Sequence, residues 1–241
     1  MDTNYNKLDW DAIGKFNRES HPETTLERAQ FHINNNNFYQ AILDLDFYIK
    51  NNPTLPIGYL LLGRSYYLSN DYVNAIRAFN KGVSVSTKEV HNEFLYDYAT
   101  VLWQTDKNTE ALEITDKILI QDRDNIHGLL IKSQILFALH EYEKAFYYSV
   151  KVLELNNKIW QAWITRFNID YCLEDFHRAI SDFKKAQALN NDLPAREYTI
   201  YAASLLNNGE KEEAIKVFEK AMSLGDAEAK VFLEDLRKND N

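Results

Sequence analysis

Apolar residues recur along this chain at the three- and four-residue spacing of one helix face. Two examples are the pairs Ile42 with Leu45 and Ile76 with Phe79. Helical segments of this kind alternate with short polar turns, which predicts antiparallel helix pairs. The 7 Gly and 4 Pro leave little material for the many tight turns of an all-β fold. The predicted fold class is therefore all-α.

One phrase recurs six times, as in Asp71-Tyr-Val-Asn-Ala-Ile76, and its alanine marks the repeat. The alanines are Ala41, Ala75, Ala111, Ala145, Ala179 and Ala214, at spacings of 34, 36, 34, 34 and 35 residues. The predicted repeats cover about 22–55, 56–91, 92–125, 126–159, 160–194 and 195–226. Pro22 and Pro56 stand where first helices should begin, since a first turn has no use for an amide hydrogen there.

Two further positions keep the same phase. Twelve residues before the alanine stand Ala29, Gly63, Ala99, Ser133, Phe167 and Ala202. Five of these six are small, as a close helix crossing requires. Five residues before it stand the predicted turn residues Asn36, Asn70, Asp106, His140, Glu174 and Gly209. Four of them are Asn, Asp or Gly, which enter a left-handed conformation at least cost. The large Phe167 suggests a one-residue slip of the first helix in the fifth repeat.

These features resemble the tetratricopeptide repeat family, whose hairpins have this length, the small residue, the alanine after the turn and a closing proline such as Pro53. The resemblance covers about residues 21–226 and implies a right-handed α-solenoid of antiparallel helix hairpins. It also implies a protein-binding function. The sequence departs from the family where Arg28, Lys132 and Arg166 occupy a first-helix position that is usually leucine.

The chain ends differ from the repeats. Residues 1–20 are predicted to be a capping helix, or an arm that lies in the groove or docks a partner. Residues 227–241 are predicted to be a capping helix and tail, because a terminal repeat needs a polar outer face. Its expected apolar stripe is Val231, Phe232 and Leu236.

Stacked hairpins curve, with the first helices on the concave side, so one phase of those helices forms a row along a groove. Apolar side chains with polar ones between them would suit an extended or helical peptide. The predicted partner-binding residues are Leu60, Arg64, Tyr67, Tyr96, Trp103, Leu130, Gln134, Phe137, Ile164, Asn168 and Tyr171. The alternative is that these side chains serve ordinary packing between repeats.

Charge narrows the partner class. The net charge of −9 repels phosphate, and no basic stripe offsets it, so no nucleic-acid binding is expected. The lysine, asparagine and arginine set with which the family holds chaperone C-terminal tails is missing in every frame, so such tails are not expected partners. Glu93 and Asp97, with Glu23 and Glu27, suggest a mildly acidic groove that would tolerate a basic partner.

No chemistry-bearing motif is found. No segment approaches the ~20 apolar residues of a membrane span. There is no phosphate loop, metal-binding pair or serine elbow, and the six histidines are dispersed, so we expect no enzyme, cofactor or metal. The single cysteine, Cys172, is expected to be buried, and a cytoplasmic location is expected.

Two functions follow from this pattern. The first is a protein–protein interaction module, such as an adaptor, assembly factor or chaperone-like scaffold, that binds a peptide or protein segment in its concave groove. The second is a structural repeat protein that self-associates into a homo-oligomer. The sequence leaves the oligomeric state open.

Overall fold

The computed structural model describes residues 22–239, and within that range all regular structure is helical. The thirteen helices of this range are α1 (Pro22–Asn34), α2 (Phe38–Asn51), α3 (Pro56–Leu68), α4 (Tyr72–Val85), α5 (Asn92–Gln104), α6 (Asn108–Gln121), α7 (Ile126–Ala138), α8 (Tyr142–Leu155), α9 (Trp160–Cys172), α10 (Phe176–Leu189), α11 (Ala195–Asn207), α12 (Lys211–Ser223) and α13 (Ala227–Asn239). The first twelve form six consecutive hairpins. The predictions of an all-α fold and of about six repeats are confirmed. The predicted N-terminal cap or arm, residues 1–20, lies outside the described residues.

The chain divides into two compact units between Gln121 and Asp122. The N-terminal unit contains α1 to α6, and the C-terminal unit contains α7 to α13. Within each unit every hairpin packs on the next one in chain order. In the C-terminal unit, α13 packs on α12 as the last helix of the described range.

Each hairpin closes at its alanine. All six repeat alanines have 0% exposed surface, so the two helices cross there at close range. In the second repeat the small first-helix residue, Gly63, lies against the ring of Phe79 on the second helix. A Cβ atom added to Gly63 would lie 2.7 Å from the ring of Phe79, well inside van der Waals contact. The alanine and the small residue therefore hold first and second helices in a constant register.

The expected slip in the fifth repeat is wrong. Its first helix begins at Trp160, which is 19 residues before Ala179, just as α3 begins at Pro56, 19 residues before Ala75. Phe167 is fully buried and meets Phe183 edge-on, with the ring centroids 5.3 Å apart. This favourable ring geometry accommodates the large side chain without a change of register.

The predicted turn residues all adopt the left-handed conformation. Asn36, Asn70, Asp106, His140, Glu174 and Gly209 have φ between 57° and 87°. The next amide donates to the carbonyl five residues before it, as Asp175 does to Asp170 at 2.9 Å. This bond satisfies a carbonyl that the helix end leaves free. His140 and Glu174 bear the steric cost of a Cβ atom in this conformation.

The three polar departures from the family pattern are matched within their own hairpins. Each meets the residue three positions after its alanine: Arg28 meets Asp44, Lys132 meets Tyr148 and Arg166 meets Asp182. Arg166 donates to both carboxylate oxygens of Asp182 at 2.5 and 2.9 Å, and that carboxylate is only 1% exposed. The second repeat has the apolar residues Leu62 and Ala78 at these positions. At these two positions the buried carboxylates Asp44 and Asp182 are each neutralised by a first-helix arginine, Arg28 and Arg166.

The C-terminal cap buries a different stripe from the expected one. Ala229 and Leu233 are buried on α13, whereas Val231 is 59% exposed. Phe232 stacks on Phe218 at 5.1 Å and keeps 42% of its surface exposed. The assignment of Val231 to the apolar stripe was wrong because α13 turns the Ala229–Leu233 side, spaced by four residues, towards α12.

The left-handed turn of the fifth repeat predicts a stabilising substitution. Glu174→Gly should raise the free energy of unfolding by about 0.5 to 1 kcal/mol, because relief of the left-handed cost exceeds the added chain entropy of glycine. Urea unfolding monitored by circular dichroism measures it. Glu174→Ala is the control and should gain nothing, since it keeps the Cβ atom. Equal gains for the two variants would rule out the conformational explanation.

The pairing of Arg166 with Asp182 predicts strong coupling. Arg166→Leu alone should lose about 3 kcal/mol, the low end for a broken buried pair, since Lys185 stays 3.4 Å from Asp182. The double variant Arg166→Leu with Asp182→Ala reproduces the Leu62–Ala78 arrangement and should recover most of that loss. A double-mutant cycle by urea unfolding measures the coupling; additive losses would contradict this account.

Candidate functional site

Three aromatic candidates lie on first helices of the N-terminal unit. Tyr67 on α3, and Tyr96 and Trp103 on α5, are all partly exposed. Burial raises the pKa of Tyr67 and Tyr96 above that of an ordinary phenol. Both hydroxyls are protonated at neutral pH, as in an ordinary phenol, and can donate hydrogen bonds. Together with Arg64 these residues are called the N-terminal face.

Arg64 is bound to two carboxylates of the next repeat. It donates to Asp97 at 2.5 Å and to Glu93 at 2.6 Å, and its guanidinium lies 4.6 Å from the centre of the Phe94 ring. Burial raises the pKa of Asp97, although the neighbouring Arg64 opposes that shift. The sequence suggested an acidic groove from Glu93 and Asp97, but Arg64 neutralises much of that charge. These bonds of Arg64 thus link α3 to α5 within the N-terminal face.

The C-terminal unit brings three candidates together around a cavity of about 260 Å³. Phe137 on α7, and Asn168 and Tyr171 on α9, line it. Gln134 lies one turn before Phe137, is partly exposed and makes no hydrogen bond within the described residues. These four residues are called the C-terminal face. Burial raises the pKa of Tyr171, which therefore keeps its hydroxyl proton.

Asn168 is held in place by the following repeat. Its Nδ2 atom donates to Glu197 on α11 at 3.1 Å, while its Oδ1 atom is buried without a hydrogen-bond partner in the described structure. Burial raises the pKa of Glu197, and the hydrogen bond from Asn168 opposes that shift. Asn168 is therefore held by a hydrogen bond to the next repeat, as Arg64 is in the N-terminal face.

Three of the predicted binding residues are buried. Leu60, Leu130 and Ile164 are 5%, 8% and 9% exposed. Leu60 packs close to Gly82 of the second helix, where an added Cβ atom would lie 2.7 Å from it. Side chains with so little exposed surface stabilise helix packing, so the candidate surface narrows to the two faces.

The cavity is also lined by residues outside the predicted partner-binding set. They are Cys172, Arg196, Thr199, Ile200, Ala203, Glu228 and Phe232. The lining residues on α11 are Arg196, Thr199, Ile200 and Ala203, which have the spacing of one helix face. This spacing is the sequence signal by which they could be found. Phe232 had been assigned to the cap alone.

The expectation that Cys172 is buried is wrong, because its thiol is exposed. It stands seven residues before the repeat alanine, at the last turn of the first helix. That position is exposed in all six repeats, so the exposure of Cys172 follows from its place in the repeat. Free cysteine is usually buried, but its place in the repeat dominates here.

Residues 22–239 contain neither a cluster of metal-binding side chains nor a membrane-spanning helix. No group of three or more His, Cys, Asp or Glu side chains within this range could hold a metal ion. Within the same range no helix is both long and apolar enough to cross a bilayer.

The repeated hairpins give residues 22–239 the architecture of a helical-repeat protein. A family model described as tetratricopeptide repeat matches residues 197–224, from the first turn of α11 to the end of α12. This match and the solved structures below show that the fold of the chain is the tetratricopeptide-repeat fold. A search of curated proteins finds no match to the chain.

Solved structures with the same fold cover most of the chain. PilW, a type IV pilus biogenesis factor, has a TM-score of 0.74 at 16% identity, over 88% of this chain and 98% of its own. PilF of Pseudomonas aeruginosa has a TM-score of 0.74 at 13% identity, over 90% and 99%. YrrB, described as a TPR protein with an unusual peptide-binding site, has 0.64 at 16%, over 77% and 94%.

The bond between Arg64 and Asp97 predicts a measurable titration. Arg64→Leu should raise the pKa of Asp97 further, because the positive charge that lowers it is removed while burial remains. Carboxyl ¹³C chemical shifts followed against pH measure this value. Arg77→Leu, which removes an arginine elsewhere in the same unit, should leave the pKa of Asp97 unchanged. An unchanged pKa in the Arg64 variant would mean that Arg64 is free for a partner.

Proposed function

We propose that this chain is a protein-interaction scaffold that binds a peptide or protein segment on the exposed side of its first helices. The observation that supports this is a single repeat position, eight residues before each alanine. It is partly exposed in five of six repeats, as Tyr67, Trp103, Phe137, Tyr171 and Leu206. A core position would be buried in all of them, as the alanines are.

The chemistry of this position suits a protein partner. Aromatic side chains give large contact areas at low entropic cost and dominate binding energies at interfaces. The hydroxyls of Tyr67 and Tyr171 add hydrogen-bonding groups beside them, as does the amide of Gln134, which makes no hydrogen bond within residues 22–239. The peptide-binding site ascribed to YrrB is an analogy on the same fold.

Self-association is the second candidate. It is favoured by exposed apolar side chains at the C-terminal end, where Met222, Leu224 and Val231 are 43%, 52% and 59% exposed. Light scattering over a hundredfold concentration range distinguishes the two, since a monomer at every concentration excludes this candidate. The cytoplasmic location stays a prediction.

The scaffold proposal predicts loss of capture after three substitutions. Tyr67→Gln, Trp103→Gln and Tyr171→Gln together should reduce proteins captured from native lysate at least about tenfold, as loss of interface anchors does. Mass spectrometry of the captured proteins measures this, and circular dichroism checks that the helices remain.

The matched control changes exposed aromatics on second helices. Tyr39 and Tyr147 are 69% and 54% exposed, and their replacement by glutamine should leave capture unchanged. If the first-helix variant retains its partners while the Tyr39 and Tyr147 variant loses them, the binding surface is on the second helices and the proposal is wrong.

A further inference from the structure

The cavity of the C-terminal unit has an apolar portion of limited size. Phe137, Tyr171, Ile200 and Phe232 supply most of its apolar wall. Its volume of about 260 Å³ is below the 300–1,000 Å³ typical of whole small-molecule sites. The space therefore fits one bulky side chain of a larger partner better than a complete ligand.

Arg196 places a positive charge on the lining of this cavity. The other first-helix arginines of the described range, Arg28, Arg64 and Arg166, each bind a carboxylate of the protein. Arg196 is exposed, lines the cavity and makes no such ion pair within the described residues, although it lowers the pKa of the adjacent Glu197. Its guanidinium can thus receive a carboxylate in a two-pronged hydrogen bond.

Glu228 restricts where an acidic group can bind in the cavity. It lines the cavity from α13, so a carboxylate on that side would be repelled. Asp226 is already bound by the Thr199 hydroxyl at 2.7 Å. An acidic group of the partner is therefore favoured only on the Arg196 side of the cavity.

The geometry of α11 sets the distance between Arg196 and the apolar part of the cavity, which Ile200 lines. Arg196 and Ile200 are one helical turn apart on α11, which is about 6 Å along its axis. An extended chain covers about 3.3 to 3.6 Å per residue, so that distance corresponds to two residues.

From this placement we infer that the cavity binds a peptide segment with a bulky apolar side chain inside it and an aspartate or glutamate two residues away on Arg196. This inference rests on the proposed function and names the chemistry of the partner at one site. The acid is a side chain within the segment and is bound by Arg196, while the apolar anchor fills the cavity.

Synthetic nonapeptides test the inference directly with full-length protein. Each is acetylated, amidated and built of Gly and Ser around a central Phe, with Asp, Asn or Lys two residues from it on either side. Amide ¹H–¹⁵N spectra give Kd and the residues that respond. The Asp peptide of one orientation should bind about fivefold tighter than its Asn counterpart, the scale of one exposed charge pair. The Lys peptide should be weaker still, and the responding residues should lie on α7, α9 and α11.

Two variants test the charge of Arg196 and the space in the cavity separately, and a third variant is the control. Arg196→Glu should reverse the order of the Asp and Lys peptides. Cys172→Trp, at an exposed position on the cavity wall, should weaken all peptides at least about tenfold by filling the space. Arg123→Glu makes the same charge change at an exposed loop of the same unit and should bind as the wild type does.

Several outcomes would overturn the inference. One is equal binding of the Asp and Lys peptides. Another is binding only by a peptide whose C-terminal carboxylate lies two residues after Phe, because Arg196 would then recognise a chain end and not an acidic side chain. Responses confined to Tyr67 and Trp103 would reject this cavity but keep the proposed function. Absence of all binding would also reject it, and the lysate capture decides the proposed function independently.

Discussion

The close crossing of the two helices in each hairpin is the constraint on which the rest of the structure depends. An alanine without exposed surface lies on the second helix of every hairpin, and five of the six first helices have a small residue twelve positions before it. At Gly63 there is no room even for a Cβ atom beside Phe79. The fifth repeat shows how strong the constraint is, since Phe167 turns its edge to Phe183 while the register stays the same. Packing is adjusted around the crossing.

Because the register is constant, a given position of the first helix occupies a similar place in each hairpin. The position of Tyr67 and Tyr171 is at the edge of the packed surface, where a side chain is partly buried and partly free. Polar contacts to the next repeat then order this surface. Arg64 reaches the carboxylates of α5, and Asn168 reaches Glu197 on α11. A surface that is already ordered loses less entropy when a partner binds.

The repeat, the turns and the helix pairs could be predicted from the sequence because they depend on short, local signals. The burial of an individual side chain could not be predicted, since the large side chains Leu60 and Tyr67 lie on the same helix yet differ in exposure. The partners of Arg64 stand 29 and 33 residues further on, beyond any local pattern. The cavity also includes Phe232 of the cap, which belongs to no repeat position.

Photo-crosslinking tests most directly whether the first helices carry the binding surface. A benzophenone amino acid in place of Gln134 reports on the C-terminal face, and the same amino acid in place of Lys144 reports on the second helix of that hairpin, where the lysine side chain is 69% exposed. The structure predicts a covalent adduct with a cellular protein from position 134 and none from position 144. Adducts from position 144 alone would contradict the account.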